Sequence, residues 1–252
     1  MIRKWLPIFA VGYVLLATGS ALAAEIKVLH ATALKPPFDV LFPAFGKTTS
    51  HSVTAEYGPA GAIAARIQKG EQADIAIVTT EQIDRLRSEG RVQGEGIAHI
   101  GRVGLGIFVA KGAAKPDLGS VEALRKSLSS ARSIAYVDPS AGGASGIYVD
   151  GLLAKLGLKA ELASKIRIFP RAHNIVAAVV KGEVDFAFGQ ISEILDESSI
   201  DLAGPLPEDI QNYTRFSAGV IASSKQPQPA KALIEFLSTA PAAAILKAKG
   251  FN

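Results

Sequence analysis

The sequence predicts an α/β fold of two similar lobes, each a mainly parallel sheet flanked by helices. Short apolar strands alternate with helices along nearly the whole chain, which is typical of parallel sheets covered on both faces. One helix–strand unit recurs in the second half of the chain. The strand at 74–78 is also almost entirely apolar, as expected of a buried strand.

The first half is predicted to begin with a strand at 26–29. Phe38, Leu41, Phe42 and Phe45 follow with the i, i+3, i+4, i+7 spacing of one helix face. The remaining elements predicted in this half are strands at 53–56 and 74–78 and helices at 62–69 and 83–89.

The second half repeats the alternation of strands and helices. A glycine-rich segment, Gly142–Gly146, leads into a helix with Tyr148, Leu152 and Leu156 on one face. The other predicted elements are strands at 103–109, 133–137, 166–169 and 184–188, and helices at 121–128, 175–181, 233–237 and 242–249.

The recurring unit comprises residues 60–71 and 172–183. Each copy is a predicted helix ending in Lys-Gly-Glu, and an aspartate, Asp74 or Asp185, precedes the next strand. Helix–glycine–strand units are common, but the matching Lys-Gly-Glu and aspartate favour a repeat over coincidence. We infer two similar lobes, each presenting a helix start at an equivalent place.

Residues 1–23 are predicted to be a secretory signal peptide. Arg3 and Lys4 precede an apolar run, Leu6–Leu16, and small residues at Ala21–Ala23 follow it. The run is too short to span a bilayer, and the chain has no cysteine to acylate, so an anchor is disfavoured. We therefore expect export to the periplasm with cleavage near Ala23 or Ala24.

The composition disfavours several kinds of site. The chain has no cysteine, and its 4 histidines lack metal-ligand spacing, so we expect no disulfide, no metal and no cofactor. Neither a nucleophile elbow nor a phosphate loop is present. The net charge is only +4 without a block of basic residues, so we expect no nucleic-acid partner. A small anionic ligand and a monomeric protein fit these properties.

Small and hydroxyl-bearing residues cluster at predicted strand ends and helix starts. Ligands of open parallel sheets bind there, because helix N-termini offer free N–H groups and the positive end of the helix dipole. The candidate ligand-binding residues at these points are Thr32, Gly61, Thr79, Thr80, Ser140, Ser145, Arg171, His173 and Asn174. For any single hydroxyl, helix capping is the alternative role.

Arg171 and His173 favour an anionic ligand. Both lie at a predicted helix start, where their positive charge opposes the helix dipole unless an anion lies between them. Arg171 can bind a carboxylate through two parallel hydrogen bonds. His30 ends a strand, and a buried role with a backbone hydrogen bond and a role at the ligand are equally open for it.

Several segments together carry a family resemblance: Ala31–Leu34, Tyr57–Gly61, Ala73–Ile77, Asp138–Tyr148, Lys181–Asp185 and Ala244–Phe251. On these segments the chain resembles the periplasmic molybdate-binding family of ABC-transporter solute-binding proteins. The resemblance implies the type II periplasmic binding protein fold, with crossover strands near 103–109 and 216–221. It further implies lobe I at 24–106 plus 219–252, lobe II at 107–218, and an ABC permease as partner.

The chain departs from this family at its oxyanion ligands. The family uses a serine after the first strand, a serine in a Gly-Ser-Ser-Gly turn and a late tyrosine, where this chain has Ala33, Pro59-Ala60 and Gln190. A buried dianion needs its oxygens met by donors, so these losses disfavour molybdate and tungstate. A carboxylate would make better use of arginine, histidine and threonine.

Two functions follow from the resemblance. The first is capture of a small anion, with a carboxylate favoured, between the lobes for ABC-type uptake. The alternative is an aconitate isomerase, to which the same fold family is similar, with His173 or His30 as the base and Tyr57 or Glu56 assisting. Binding and isomerisation need the same cations, so both functions remain open, with passive binding ahead.

Overall fold

The computed structural model of the protein describes residues 23–252. The predicted signal peptide at 1–23 therefore lies, except for its last residue, outside the described residues. Nine strands are present in this part of the chain: β1 Glu25–Ala31, β2 Ser52–Gly58, β3 Ile75–Thr79, β4 Ala98–Ala110, β5 Ile134–Val137, β6 Ile166–Phe169, β7 Phe186–Gln190, β8 Ile200–Pro205 and β9 Tyr213–Val220. The same residues form eight α-helices: α1 Lys35–Thr49, α2 Ala60–Gln68, α3 Thr80–Ser88, α4 Val121–Ser130, α5 Ala144–Lys155, α6 Ala172–Val180, α7 Pro227–Leu237 and α8 Ala240–Ala248.

The strands form two parallel groups joined by antiparallel strands. β1 lies between β2 and β3, and β5 lies between β6 and β7, with all four pairings parallel. β9 and β4 lie between the two groups and pair antiparallel with their neighbours. Each group thus has the same strand order, and the predicted α/β class is confirmed, although the two mainly parallel groups belong to one nine-stranded sheet rather than to two separate sheets.

The predicted repeat is a structural repeat. α2 and α6 occupy equivalent positions in the two copies, as do β3 and β7. Asp74 Oδ2 accepts a 2.9 Å hydrogen bond from the Lys27 backbone N–H, and Asp185 Oδ2 accepts a 2.8 Å bond from that of Arg132. Each aspartate therefore ties the start of its strand to the beginning of the central strand of the same group, within β1 for Asp74 and just before β5 for Asp185.

The hydrophobic core is divided in the same way as the two groups of parallel strands. One cluster of buried side chains draws on 26–103 and 216–251, whereas two further clusters draw only on 105–210. β4 joins them, because its first part pairs with β9 and its second with β7. We propose that the lobes meet within β4 near residue 104 and close to the start of β9.

Two elements differ from the sequence-based expectation. β8 was not predicted; it pairs only with β4, and it ends at Gly204-Pro205, which breaks the alternation of a strand. α7 begins six residues before the predicted 233, because the prolines at 227 and 229 are tolerated in a first helical turn.

Within residues 23–252, no single helix is long and apolar enough to cross a membrane. α7 and α8 reach that length and apolarity only as a pair, bent by 63° at the break between them.

Candidate functional site

Three helix N-termini without a capping side chain converge on one cleft. α2, α5 and α6 begin after Pro59, Gly143 and Arg171 without a side-chain capping bond. The other helices of residues 23–252 begin differently: Thr79 and Ser120 cap α3 and α4, and α1, α7 and α8 each have a proline in the first turn. The three helix starts without a side-chain cap or a first-turn proline therefore direct backbone N–H donors and a positive dipole end to the cleft, although the Gly61 N–H of α2 is already bonded to the Gly142 carbonyl.

A small inner cavity of about 40 Å³ lies between these helix starts. Both halves of the chain line it, so it lies at the junction of the hydrophobic clusters. It brings together seven of the predicted residues: Thr32, Ala33, Pro59, Ala60, Ser145, Arg171 and Gln190. The lining residues that sequence reasoning did not single out are Ala31, Val137, Gly143, Ala144, Ala172, Glu193 and Phe216.

A larger outer cavity of about 780 Å³ adjoins the inner one. Thr32, Ala172 and Glu193 line both, so the two cavities form one cleft with a narrow end and a wide end. The charged side chains of the outer cavity are Lys35, Asp39, His173, Lys181, Glu193, Asp196, Glu197 and Lys249. Two of its lysines are already neutralised, since Lys35 pairs with Asp39 at 2.5 Å and Lys249 with Asp196 at 2.7 Å.

Arg171 is the cation of the inner cavity. It is exposed, precedes the first turn of α6, and has no ion pair with any residue from 23 to 252. Arg66, by contrast, binds both Glu56 and Glu71. Glu56 is therefore held by Arg66 and by Lys27, at 2.9 Å, rather than free to assist in a reaction.

Glu193 was missed by sequence reasoning. It ends a 3-10 turn, Ile191–Glu193, that is anchored by a 2.9 Å hydrogen bond from Ser192 Oγ to the Ala33 carbonyl. The carboxyl group is half-buried without an ion pair in the described chain, and burial raises its pKa to about 7. Extending the repeat would have aligned Gln190–Glu193 with Thr79–Gln82 and directed attention to this turn.

Five of the predicted ligand-binding residues lie outside both cavities: Gly61, which is described below, and Thr79, Thr80, Ser140 and Asn174. Thr79 caps α3 by accepting a 3.4 Å bond from the Gln82 N–H, and the Thr80 hydroxyl lies 2.9 Å from that of Ser217. Two others take part in local backbone turns, as Ser140 N–H donates to Asp138 and Asn174 N–H to the Arg171 carbonyl. The alternative role of these residues, stabilising local structure, is the one that their contacts support.

His30 belongs to the core rather than to the cleft. Its ring stacks on Tyr57 with centroids 5.7 Å apart and meets the edges of Phe38 and Phe42. Nδ1 lies 2.9 Å from the Ala31 carbonyl, and burial lowers the pKa to about 4. His173, in contrast, is exposed and lines the outer cavity only.

Gly61 and Gly142 bring the two sides of the cleft into contact. Gly61 N–H donates a 3.0 Å hydrogen bond to the Gly142 carbonyl. A Cβ atom on Gly61 would lie 3.0 Å from Gly142 Cα, and one on Gly142 would lie 2.9 Å from Gly61 Cα. The N–H of Gly61, predicted to bind ligand, is thus used in this structure to join the two sides.

The model of a family described as bacterial extracellular solute-binding protein matches residues 26–252. The chain belongs to this family. The curated proteins similar to this chain include an aconitate isomerase from a Pseudomonas species, 29% identical over 257 residues that cover 98% of this chain and 96% of that protein. The molybdate-binding protein ModA of Azotobacter vinelandii is 28% identical over 253 residues, covering 97% and 96%. The resemblance inferred from the sequence segments is thereby confirmed.

Solved structures of family-like proteins share the fold. The periplasmic molybdate-binding protein of Azotobacter vinelandii aligns with a TM-score of 0.75 at 22% identity, covering 90% of this chain and 99% of that chain. The sulfate-binding protein SubI of Mycobacterium tuberculosis H37Rv aligns with a TM-score of 0.69 at 15% identity, covering 90% and 86%. The predicted type II periplasmic binding protein fold is confirmed by these neighbours.

Proposed function

We propose that this solute-binding protein captures a small polycarboxylate anion in its cleft. One carboxylate would lie in the inner cavity, and the remainder of the ligand would extend into the outer cavity. The observation that carries the proposal is Arg171, a cation without an ion pair in the described chain, in a cavity bounded by three helix starts that have no side-chain cap and direct backbone N–H donors towards it. Arg171 and these donors together satisfy a carboxylate.

The lining favours a carboxylate over a tetrahedral oxyanion. Ala33, Pro59 and Ala60 line the inner cavity at points where hydroxyl donors are expected in molybdate-binding relatives. Gln190 also lines it, but its Nε2 donates a 2.9 Å bond to Thr214 Oγ1. The side-chain donors left for a ligand are thus chiefly Arg171, Thr32 and Ser145.

A thermal-shift screen tests this proposal. The exported form of the protein is heated with trans-aconitate, citrate, succinate, molybdate, tungstate, sulfate and phosphate in turn. A ligand of the native state raises the melting temperature by mass action. We expect a rise with the tricarboxylates and none with molybdate or tungstate, and the opposite pattern would contradict the proposal.

We further propose that the protein acts in the periplasm after removal of residues 1–23 and delivers its ligand to an ABC permease. The support for this is the signal-like N-terminal sequence and membership of a family of extracellular solute-binding proteins. Mass spectrometry of the protein exported by a bacterial host tests whether residues 1–23 are removed. We expect the mature chain to begin near Ala24.

Glu193 favours a second candidate function, isomerisation of trans- and cis-aconitate. A carboxyl group with a pKa near neutrality at the junction of the two cavities is suited to accept and return a proton. The 29% identity to the Pseudomonas isomerase over nearly the whole chain supports the same candidate. Proton NMR of trans-aconitate incubated with the protein tests it: a receptor leaves the spectrum unchanged, whereas an isomerase produces cis-aconitate.

A further inference from the structure

Glu193 occupies the point in the cleft at which the two cavities meet. It lines both of them, so an anion with one carboxylate in the inner cavity has its adjoining carbon atoms near this side chain. The bond from Ser192 Oγ to the Ala33 carbonyl, 2.9 Å, fixes the turn against the 3-10 turn Thr32–Leu34 that follows β1. The turn that carries Glu193 is therefore held in place by a buried contact.

Other candidate bases are worse placed. His30 is buried among Phe38, Phe42 and Tyr57 and lines neither cavity. His173 lines only the outer cavity, and Glu56 is bound to two cations. Among the described residues of the inner cavity, Glu193 is the one side chain able to accept a proton from carbon near neutral pH.

The charges around Glu193 leave it without a cationic partner. Arg171, His173 and Lys181 face the cleft from α6 and its start, and none forms an ion pair with Glu193. The remaining charged or titratable groups of the cleft are Lys35 and Asp39 on α1, Tyr57 on β2, Lys249 after α8, and Asp196 and Glu197 beyond the turn. Lys35 and Lys249 are paired with the two aspartates, so neither neutralises Glu193.

We propose that Glu193 is the general base that moves the proton in aconitate isomerisation, a role that rests on the second candidate function. Its carboxylate removes a proton from the methylene carbon of trans-aconitate. The electron pair of that C–H bond forms a double bond to the central carbon, and the former double-bond pair moves onto the opposite arm. Glu193 then returns the proton to that arm, so a C–H bond forms there and no oxidant or reductant is needed.

Arg171 and the helix starts supply the electrostatic part of this reaction. Negative charge develops on the tricarboxylate when the proton leaves, and fixed donors directed at a carboxylate stabilise that charge. Arg171 binds and polarises the ligand, while Glu193 carries the proton. The two side chains therefore have separable effects, on affinity and on rate respectively.

The test compares Glu193→Gln, Glu193→Asp and the matched control Glu208→Gln, which changes an exposed carboxylate of another 3-10 turn, Glu208–Ile210, that lines neither cavity. Conversion of trans-aconitate is followed by proton NMR, and affinity by calorimetric titration. We expect Glu193→Gln to slow conversion at least about 100-fold, with affinity within about threefold of wild type. Glu193→Asp should retain part of the rate, and Glu208→Gln should retain all of it.

The pH profile separates proton transfer from a structural role. The wild-type rate should rise through about pH 7, as the pKa of Glu193 is near that value and the carboxylate form starts the reaction. If Glu193→Gln does not fold, the Glu193→Asp variant decides: a slower rate with a shifted profile supports the role, and an unchanged rate and profile overturn it.

The two possible failures have different signatures. Conversion by the wild type and by Glu193→Gln at equal rates would overturn the role of Glu193 and leave the isomerase candidate intact. Binding of trans-aconitate by the wild type without conversion would overturn the isomerase candidate, and the role of Glu193 with it, while the anion-binding proposal would stand.

Discussion

Arg171 and His173 are two residues apart at the start of α6, yet they line different parts of the cleft. Arg171 has an extended backbone just before the helix, whereas His173 lies in the first turn; Arg171 lines the inner cavity and His173 only the outer one. Arg171 is also unpaired within the described chain, as expected of a side chain whose partner is a ligand. The inner end of the cleft therefore depends on a single arginine for charge.

Arg171→Ala should reduce the affinity for trans-aconitate at least tenfold, or about 1.4 kcal/mol, because a two-bond contact to a carboxylate is lost. Calorimetric titration measures the change. The control is Arg87→Ala, which removes an exposed arginine that pairs with Asp84 on α3. Equal affinities for Arg171→Ala and the control would remove Arg171 from the site.

His30 and Glu193 should make opposite contributions to the pH dependence of the free energy of unfolding. Burial lowers the pKa of His30 from 6.5 to about 4, so between these values the unfolded chain binds more protons and stability falls as the pH is lowered. Burial raises the pKa of Glu193 from 4.5 to about 7, so the folded chain binds more protons and stability falls as the pH is raised. The two effects should largely cancel between pH 4.5 and pH 6.5.

Urea unfolding across that pH range checks these assignments. Glu193→Gln should make stability rise with pH, with a slope of up to about 1.4 kcal/mol per pH unit relative to wild type. His30→Phe should have the opposite effect and make the free energy of unfolding fall with pH relative to wild type. Titratable groups that the wild type and both variants share contribute equally to the three proteins and cancel in the comparison. If stability changed with pH in the same way in all three, both pKa assignments would be contradicted.

At the scale of elements, the cleft is built from helix starts, and its two sides meet at Gly61 and Gly142. A Cβ atom on Gly61 would contact the backbone of Gly142 at 3.0 Å, so the two sides would have to move apart by a few tenths of an ångström. α2 itself should tolerate the change, because alanine is a better helix former than glycine.

Gly61→Ala should therefore weaken binding of trans-aconitate about three- to tenfold, or roughly 0.6–1.4 kcal/mol, without lowering stability. The control is Gly151→Ala in α5, where a Cβ atom meets nothing within 4 Å. Calorimetric titration and thermal melting of both variants test the prediction. Equal affinities of Gly61→Ala and Gly151→Ala would mean that ligand binding does not depend on the contact between Gly61 and Gly142.

The repeated aspartates make a prediction for the helix–strand units. Asp74 accepts hydrogen bonds from Lys27 N–H at 2.9 Å and from the Ser224 hydroxyl at 2.6 Å. Asp74→Ala should lower the free energy of unfolding by about 1–3 kcal/mol, because buried donors lose their acceptor. Asp84→Ala, on the exposed face of α3, should change it by less than about 0.5 kcal/mol. Similar losses in both variants would contradict the structural role of the repeat.

At the scale of the whole molecule, the architecture was predictable because it depends on local patterns. Apolar periodicity located the helices, and the matched Lys-Gly-Glu segments identified equivalent units that the structure places in equivalent positions. The inner cavity was partly predictable for the same reason, since Pro59, Ser145 and Arg171 lie at strand ends and helix starts. Glycines and helix starts that follow the carboxyl ends of the strands indicate where a parallel sheet binds its ligand.

The rest of the site depends on packing between distant segments, which periodicity does not encode. Glu193 lies at the cleft because the neighbouring Ser192 bonds the Ala33 carbonyl in the turn after β1, 159 residues earlier in the chain. His30 and Thr80 share the strand-end position of true cleft residues, but their side chains turn to Phe38 and to Ser217 respectively. The sequence shows which residues lie at the ends of strands. Tertiary contacts decide which of their side chains face the cleft.

Calorimetric titration of the exported protein with trans-aconitate, repeated in the presence of excess molybdate, tests the central claim most directly. The polycarboxylate cleft predicts saturable one-to-one binding of trans-aconitate that molybdate does not weaken. Tight binding of molybdate with no binding of trans-aconitate would contradict it, and would mean that the helix N–H groups alone replace the missing hydroxyl donors around a tetrahedral oxyanion.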